Sequence, residues 1–156
     1  MTDRGEFTPE GLRFERRLPA PPREIWAAIT QPDQLATWMD RTDLDGRVGG
    51  EVTVHFEGSP VTGRVRVWEP PSVLEYTWVI GSEIESVLRF ELEPVEEGTL
   101  LRLSHHALPA EQEIGYAPGW HAYLDRLTAM VAGEPLPDWD QRFTGLRSEY
   151  QRLRER

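Results

Sequence analysis

GWHAYLDRLTAMV, residues 119–131, is the stretch whose reading decides the fold. Trp120, Tyr123, Leu124, Leu127 and Val131 recur at the three-and-four spacing that puts them on one face of an α-helix. A face that broad and apolar needs a floor. Residues 51–107 supply it, as five strand-like runs separated by turn signals. Because the strands are clustered ahead of the helix rather than alternating with it, the expected class is α+β, an antiparallel sheet with one long helix laid across it, not a parallel α/β sheet.

Alternation sets the strand faces. Val52, Val54 and Phe56 alternate with Thr53 and His55, and Gly58-Ser59-Pro60 turns the chain into 61–68, so this pair reads as a hairpin. Leu74, Tyr76 and Trp78 share one face of 73–80, and Leu88, Phe90 and Leu92 share one face of 87–93. After a turn at Glu97-Gly98, Leu101, Leu103 and His105 take the concave face of the last strand. Glu69, Glu75, Glu91 and Glu93 fall in frames that face solvent.

Upstream, residues 1–10 are polar and expected to be loose, after which Leu12, Phe14 and Leu18 alternate as a first strand would. Pro22 opens a helix carrying Ile25, Trp26, Ala28 and Ile29 on one side, and Pro32 a shorter one carrying Leu35, Trp38 and Met39. Residues 40–50 form an acidic, glycine-rich connection. Just before the deciding helix, 114–119 (IGYAPG) reads as a flexible segment at a cavity mouth. Beyond it, Gly133 and two prolines break the pattern, and Trp139, Phe143, Leu146, Tyr150 and Leu153 mark a second helical stripe. That stripe seats either within the chain or on a second copy, as a homodimer. Residues 1–156 are read as a single domain, with a core at about 12–133 and a helical extension at 138–155.

The 17 basic residues are all arginine, and 27 acidic ones outweigh them to a formal charge of −10. That balance argues against nucleic acid or an anionic membrane as partner. Cysteine is absent, which removes disulfides, thiolate metal sites and a cysteine nucleophile. With no apolar run resembling a signal peptide or a membrane span, the expected location is the cytoplasm. No phosphate-cradling loop, dinucleotide fingerprint, serine elbow or paired-histidine zinc helix occurs, so no metal and no cofactor are expected, and weight shifts to a binding fold.

The four histidines are His55, His105, His106 and His121. His105 and His106 face oppositely on one strand and cannot chelate one metal, while His121, four before Asp125, reads as an exposed pair. His105 has two readings, a hydrogen-bonded core histidine or a pocket histidine that touches a ligand. Six tryptophans are the louder signal, with Trp26, Trp38, Trp78 and Trp120 on faces assigned inward. They are either ordinary core or the lining of a cavity suited to a flat apolar ligand.

In order along the chain, Pro21-Pro22-Arg23-Glu24-Ile25-Trp26, Leu35-Ala36-Thr37-Trp38, Glu69-Pro70-Pro71 leading to Leu74 and Trp78, Gly98-Thr99-Leu100-Leu101 with His105, and Gly119-Trp120 with Leu124 and Leu127 resemble a known family. It is the bacterial branch of the START-like (SRPBCC) superfamily related to the activator of the heat-shock protein 90 ATPase, and the likeness spans about residues 12–150. The resemblance implies a helix-grip fold with a hydrophobic cavity between sheet and helix. Matching the family's cavity positions gives Trp38, Trp78, His105, Trp120 and Leu124. The inward faces add Phe56, Tyr76, Phe90, Leu103, Tyr123 and Leu127 as ligand-binding candidates. The expected function is binding of a small hydrophobic, ring-containing or lipid-like molecule, with no catalytic residue assigned. Two alternatives stand beside it: a polyketide cyclase-like or hydrolase-like enzyme with His105 as acid or base, and a co-chaperone-like module that binds a protein partner. The acidic, lysine-free surface departs from what chaperone docking would be expected to use.

Overall fold

The structure, a computed structural model, describes residues 3–81 and 84–155. In chain order its elements are β1 (Glu6–Thr8), β2 (Gly11–Leu18), α1 (Pro22–Thr30), α2 (Pro32–Trp38), β3 (Thr42–Leu44), β4 (Glu51–Val54), β5 (Val61–Glu69), β6 (Val73–Ile80), β7 (Ser86–Val95), β8 (Gly98–His106), α3 (Ala110–Ala132) and α4 (Trp139–Arg154). The strands form one antiparallel sheet in the order β1-β2-β8-β7-β6-β5-β4-β3. β2 lies next to one edge and β3 forms the other, so the chain crosses the sheet through α1 and α2 and returns as a meander.

The register fixes what the concave face presents. Leu12, His105, Leu88 and Tyr76 fall in one cross-strand row, and Phe14, Leu103, Phe90 and Leu74 in the next. All eight are buried, and Leu124 and Leu127 of α3 belong to the same core. The opposite face carries ion pairs, Arg102 across strands with Glu15 and Glu93, and Arg89 across to Glu75 and along its own strand to Glu91. Pairs of this solvated kind contribute only tenths of a kcal/mol each.

Three elements differ from the sequence expectation. Residues 6–8 form the edge strand β1, anchored by Phe7, whose ring meets Tyr150 edge-on at 6.2 Å. Met1 and Thr2, also expected to be loose, lie outside the described residues. Residues 42–44, placed in a connection, form β3 against β4; three residues are too few for alternation to show. The largest difference is at 114–119, expected to be a flexible segment, which lies inside α3. An interior proline removes a helix hydrogen bond and costs about 3 kcal/mol. Pro118 lies in a run, 117–122, that is buried throughout, so packing of that turn offsets the lost bond.

α4 runs antiparallel to α3 within the same chain. Arg154 reaches Glu113 at 2.7 Å, and Arg142 donates twice to Asp125 Oδ2, at 2.8 and 2.6 Å. Asp125 Oδ1 accepts from Arg16 of β2 at 2.9 Å, so one carboxylate joins sheet, α3 and α4. His121, expected to be exposed, is 7% exposed, because α4 covers the side of α3 that a single-helix reading leaves open. Tyr150 Oη accepts the Gly5 N–H at 2.7 Å and lies 2.7 Å from His121 Nδ1. Its other ring nitrogen, Nε2, is 3.7 Å from Asp125 Oδ2.

Arg16 is 3% exposed, and Asp125 carries the short charged contact that neutralises it. Asp125→Ala is expected to cost about 3 to 5 kcal/mol, the range for stranding one partner of a buried pair, read from the urea midpoint. A loss below about 1 kcal/mol would mean that the cluster contributes no more than a surface pair.

Candidate functional site

α3 is joined to the sheet by a hydrogen-bonded relay. The indole Nε1–H of Trp120, which can only donate, meets His105 Nδ1 at 3.0 Å. His105 must then carry its proton on Nε2, which lies 2.8 Å from Ser86 Oγ, and the serine hydroxyl donates onward to the Trp78 carbonyl at 3.0 Å. Both ring nitrogens are engaged and the residue is fully buried. Burial, and to a lesser degree the neighbouring His106, push the His105 pKa down to about 3, so the ring is neutral. Of the two readings of His105, this is the hydrogen-bonded core histidine.

In front of the relay opens a cleft of about 890 Å³. It lies where the first half of α3, the start of α4, Met39 and Asp40 after α2, Phe56 beyond β4 and Ile80 at the end of β6 converge. Its wall is a continuous run of rings. Trp78 lies 5.4 Å from Trp120 and 6.0 Å from Phe56 between centroids; Tyr123 lies 6.1 Å from Trp120 and 5.3 Å from Trp139, which stacks on Phe143 at 4.9 Å. Tyr116 completes it, accepting the Trp78 indole N–H at 3.0 Å. The Trp139 indole donates to the Gly119 carbonyl at 3.2 Å, which fixes the start of α4 against α3. Arg126 closes the far side by giving Nε to the Trp38 carbonyl and its two terminal nitrogens to Pro137 and Thr37.

Of the eleven candidates from the sequence, the structure brings Phe56, Trp78, Trp120 and Tyr123 together on this wall. Trp38, Tyr76, Phe90, Leu103, His105, Leu124 and Leu127 lie behind it in the interior between sheet and α3. Trp38 is fully buried there, its indole donating to the Ala28 carbonyl at 2.8 Å. Trp26, assigned inward, is half-buried and meets Trp68 edge-on at 5.0 Å, away from the cleft. The open volume thus lies at the side of α3, where the expectation put it between sheet and helix. Tyr116, Trp139 and Phe143 were missed. Tyr116 continues the stripe of Trp120, Tyr123 and Leu127 by one more turn, a signal that Gly115, Pro118 and Gly119 masked.

Among the described residues no cluster of histidine, aspartate and glutamate could hold a metal ion, and no helix is long and apolar enough to cross a membrane.

A sheet wrapped on one long helix, with an aromatic cleft beside that helix, defines the helix-grip class of the START-like superfamily. Within it, the chain belongs to the Activator of Hsp90 ATPase homolog 1-like protein family, whose model matches residues 19–132. CalU16 from Micromonospora echinospora is similar at 25% identity and a TM-score of 0.79, over 98% of this chain and 96% of that one. The protein encoded by gene BPP1335 of Bordetella parapertussis is similar at 27% identity and a TM-score of 0.75, over 97% and 94%. The Aha1 dimer from Colwellia psychrerythraea shares the fold, with a TM-score of 0.67 at 22% identity, over 76% and 93%. A comparison with curated proteins returned no match.

Trp120→Phe keeps an aromatic ring but leaves His105 Nδ1 without its donor. We expect a loss of about 1 to 3 kcal/mol, the penalty for a buried unpaired acceptor, whereas Trp120→Ala should exceed 3 kcal/mol by adding a cavity. Equal losses for the two variants, measured by urea denaturation, would show that the indole N–H contributes nothing.

Stability should also fall in acid. The folded pKa is lowered to about 3 for His105 and, chiefly by burial, to about 4 for His121, against 6.5 for the ordinary side chain. Between those values and 6.5 the unfolded chain binds protons that the folded chain does not, so this stability is complete above pH 6.5 and shrinks as pH drops. At pH 5 the His105 share is a loss of about 2 kcal/mol. His105→Gln, which has no proton to gain, should remove that share of the slope; an unchanged slope between pH 7 and 5 would refute the assignment.

Proposed function

We propose that this protein binds a small apolar, ring-containing molecule in the cleft beside α3. The observation that carries the reading is the unbroken aromatic wall around a volume of about 890 Å³ that is open to solvent. Ring faces prefer other rings or flat apolar groups, and a recess of this size suits a molecule of two to four fused rings. Membership of a family with the helix-grip fold is consistent with ligand binding. An enzyme of the polyketide cyclase type would need a proton-transferring group within reach of its ligand. His105, the residue considered for that role, has both nitrogens engaged behind the wall, which favours binding over catalysis.

Calorimetric titration with anthraquinone- and flavonoid-type compounds, alongside a C16 fatty acid, tests the reading. At 100 times its dissociation constant, a ring compound that binds should stabilise the fold by about 2.7 kcal/mol. Trp139→Ala, at the half-buried start of α4, should weaken binding at least tenfold. If no ring compound shifts the melting temperature, or if Trp139→Ala binds as tightly as the unaltered protein, the cleft is not the binding site.

A further inference from the structure

The cleft is aromatic within and acidic around its margin. Asp40, Glu57, Glu111, Asp138 and Asp140 border it, and Arg126 is the one cationic side chain among its lining residues. None of the five carboxylates makes a salt bridge among the described residues. Among the described residues the Asp40 carboxylate accepts the Arg41 backbone N–H, and the Asp138 carboxylate that of Gln141. Arg126 does not balance them at short range, because its three guanidinium nitrogens all donate to main-chain carbonyls.

The imbalance reaches the ring wall. The Tyr123 hydroxyl is held well above its usual pKa, first by burial and then by the charges of Asp40 and Asp140, with Arg126 opposing them. A recess with negative ring faces inside and unpaired carboxylates at its mouth is complementary to a cation on an apolar body. It is hostile to a carboxylate or a phosphate.

We propose that the molecule bound in this cleft is a ring-bearing amine, its rings against Trp120, Tyr123 and Trp139 and its ammonium group directed toward Asp40 and Asp140. This rests on the binding function proposed above and adds the charge of the ligand to it. A fatty acid or an anionic lipid headgroup would meet five like charges instead.

Three probes of one shape separate the possibilities: 2-naphthylmethylamine, 2-naphthylmethanol and 2-naphthoate, titrated by calorimetry at pH 7. The expected order is amine, alcohol, carboxylate, with the amine about tenfold tighter than the alcohol at low salt and the ratio shrinking at 0.5 M salt as the charges are screened. In Asp40→Asn/Asp140→Asn the ratio of amine to alcohol affinity should drop to about threefold or less. In Glu96→Gln/Glu97→Gln, which removes the same charge from the exposed β7–β8 turn, it should stay near tenfold. Alcohol binding at least as tight as the amine overturns the charge assignment and leaves the aromatic cleft standing; binding by none of the three overturns both. An equal drop in the two double variants overturns it too, because the preference then comes from the overall charge of −10 rather than from the cleft.

Discussion

The relay from the Trp120 indole through His105 and Ser86 to the Trp78 carbonyl is the constraint on which the rest depends. It strings α3, β8, β7 and β6 together with three hydrogen bonds, and it works in one protonation state only. The indole has no lone pair to offer, so His105 has to accept at Nδ1 and donate at Nε2; a second proton on the ring would set two donors facing each other. A neutral histidine in the core thereby fixes how α3 lies on the sheet. That placement in turn determines where Trp120 and Tyr123 present their faces. Structure and candidate site share a residue, since Trp120 anchors the relay with its edge and forms the cleft with its ring.

The fold was legible because its signals are periodic. Alternation in 73–80, 87–93 and 98–106 and the stripe of Trp120, Leu124 and Leu127 place those residues on the faces that the structure buries. Short elements were not, since β1 and β3 have three residues each and a period cannot be read from so few. Punctuation misled at Gly115, Pro118 and Gly119, where local preference points to a loop and the burial of 117–122 overrides it. The cleft was half legible. Phe56, Trp78, Trp120 and Tyr123 come from elements whose faces could be assigned, but Trp139 and Phe143 belong to a helix whose docking no local pattern reveals. Histidine reading failed for the same reason at His121. Its environment is made by Tyr150 and by Gly5, 116 positions earlier on the chain, neither within reach of an i,i+4 argument.

Arginine chemistry divides into three parts in this lysine-free chain. On the outer face, guanidinium groups bridge neighbouring strands and remain in water. Arg16 is buried and takes its counterion from another element, which makes Asp125 a junction for three elements. Arg126 pairs with no carboxylate among the described residues and instead caps the carbonyls that end α2, holding them to the segment that leads into α4. A planar fork with five donors in fixed directions suits that last role better than a compact ammonium group.

α4 has a consequence for how relatives should be compared. The stretch matched by the family model ends at residue 132, whereas Asp138, Trp139, Asp140 and Phe143 of the cleft come after it. Sheet and long helix make up the matched stretch, and one flank of the recess is supplied by α4, which is tied to the rest through Asp125, Tyr150 and Glu113. Two members could agree over the whole matched stretch and still differ in this recess, because α4 and the residue before it set both its outer aromatic surface and part of its charge. Exchanging residues 134–155 between members would change that flank of the recess while the sequence of sheet and long helix stays the same.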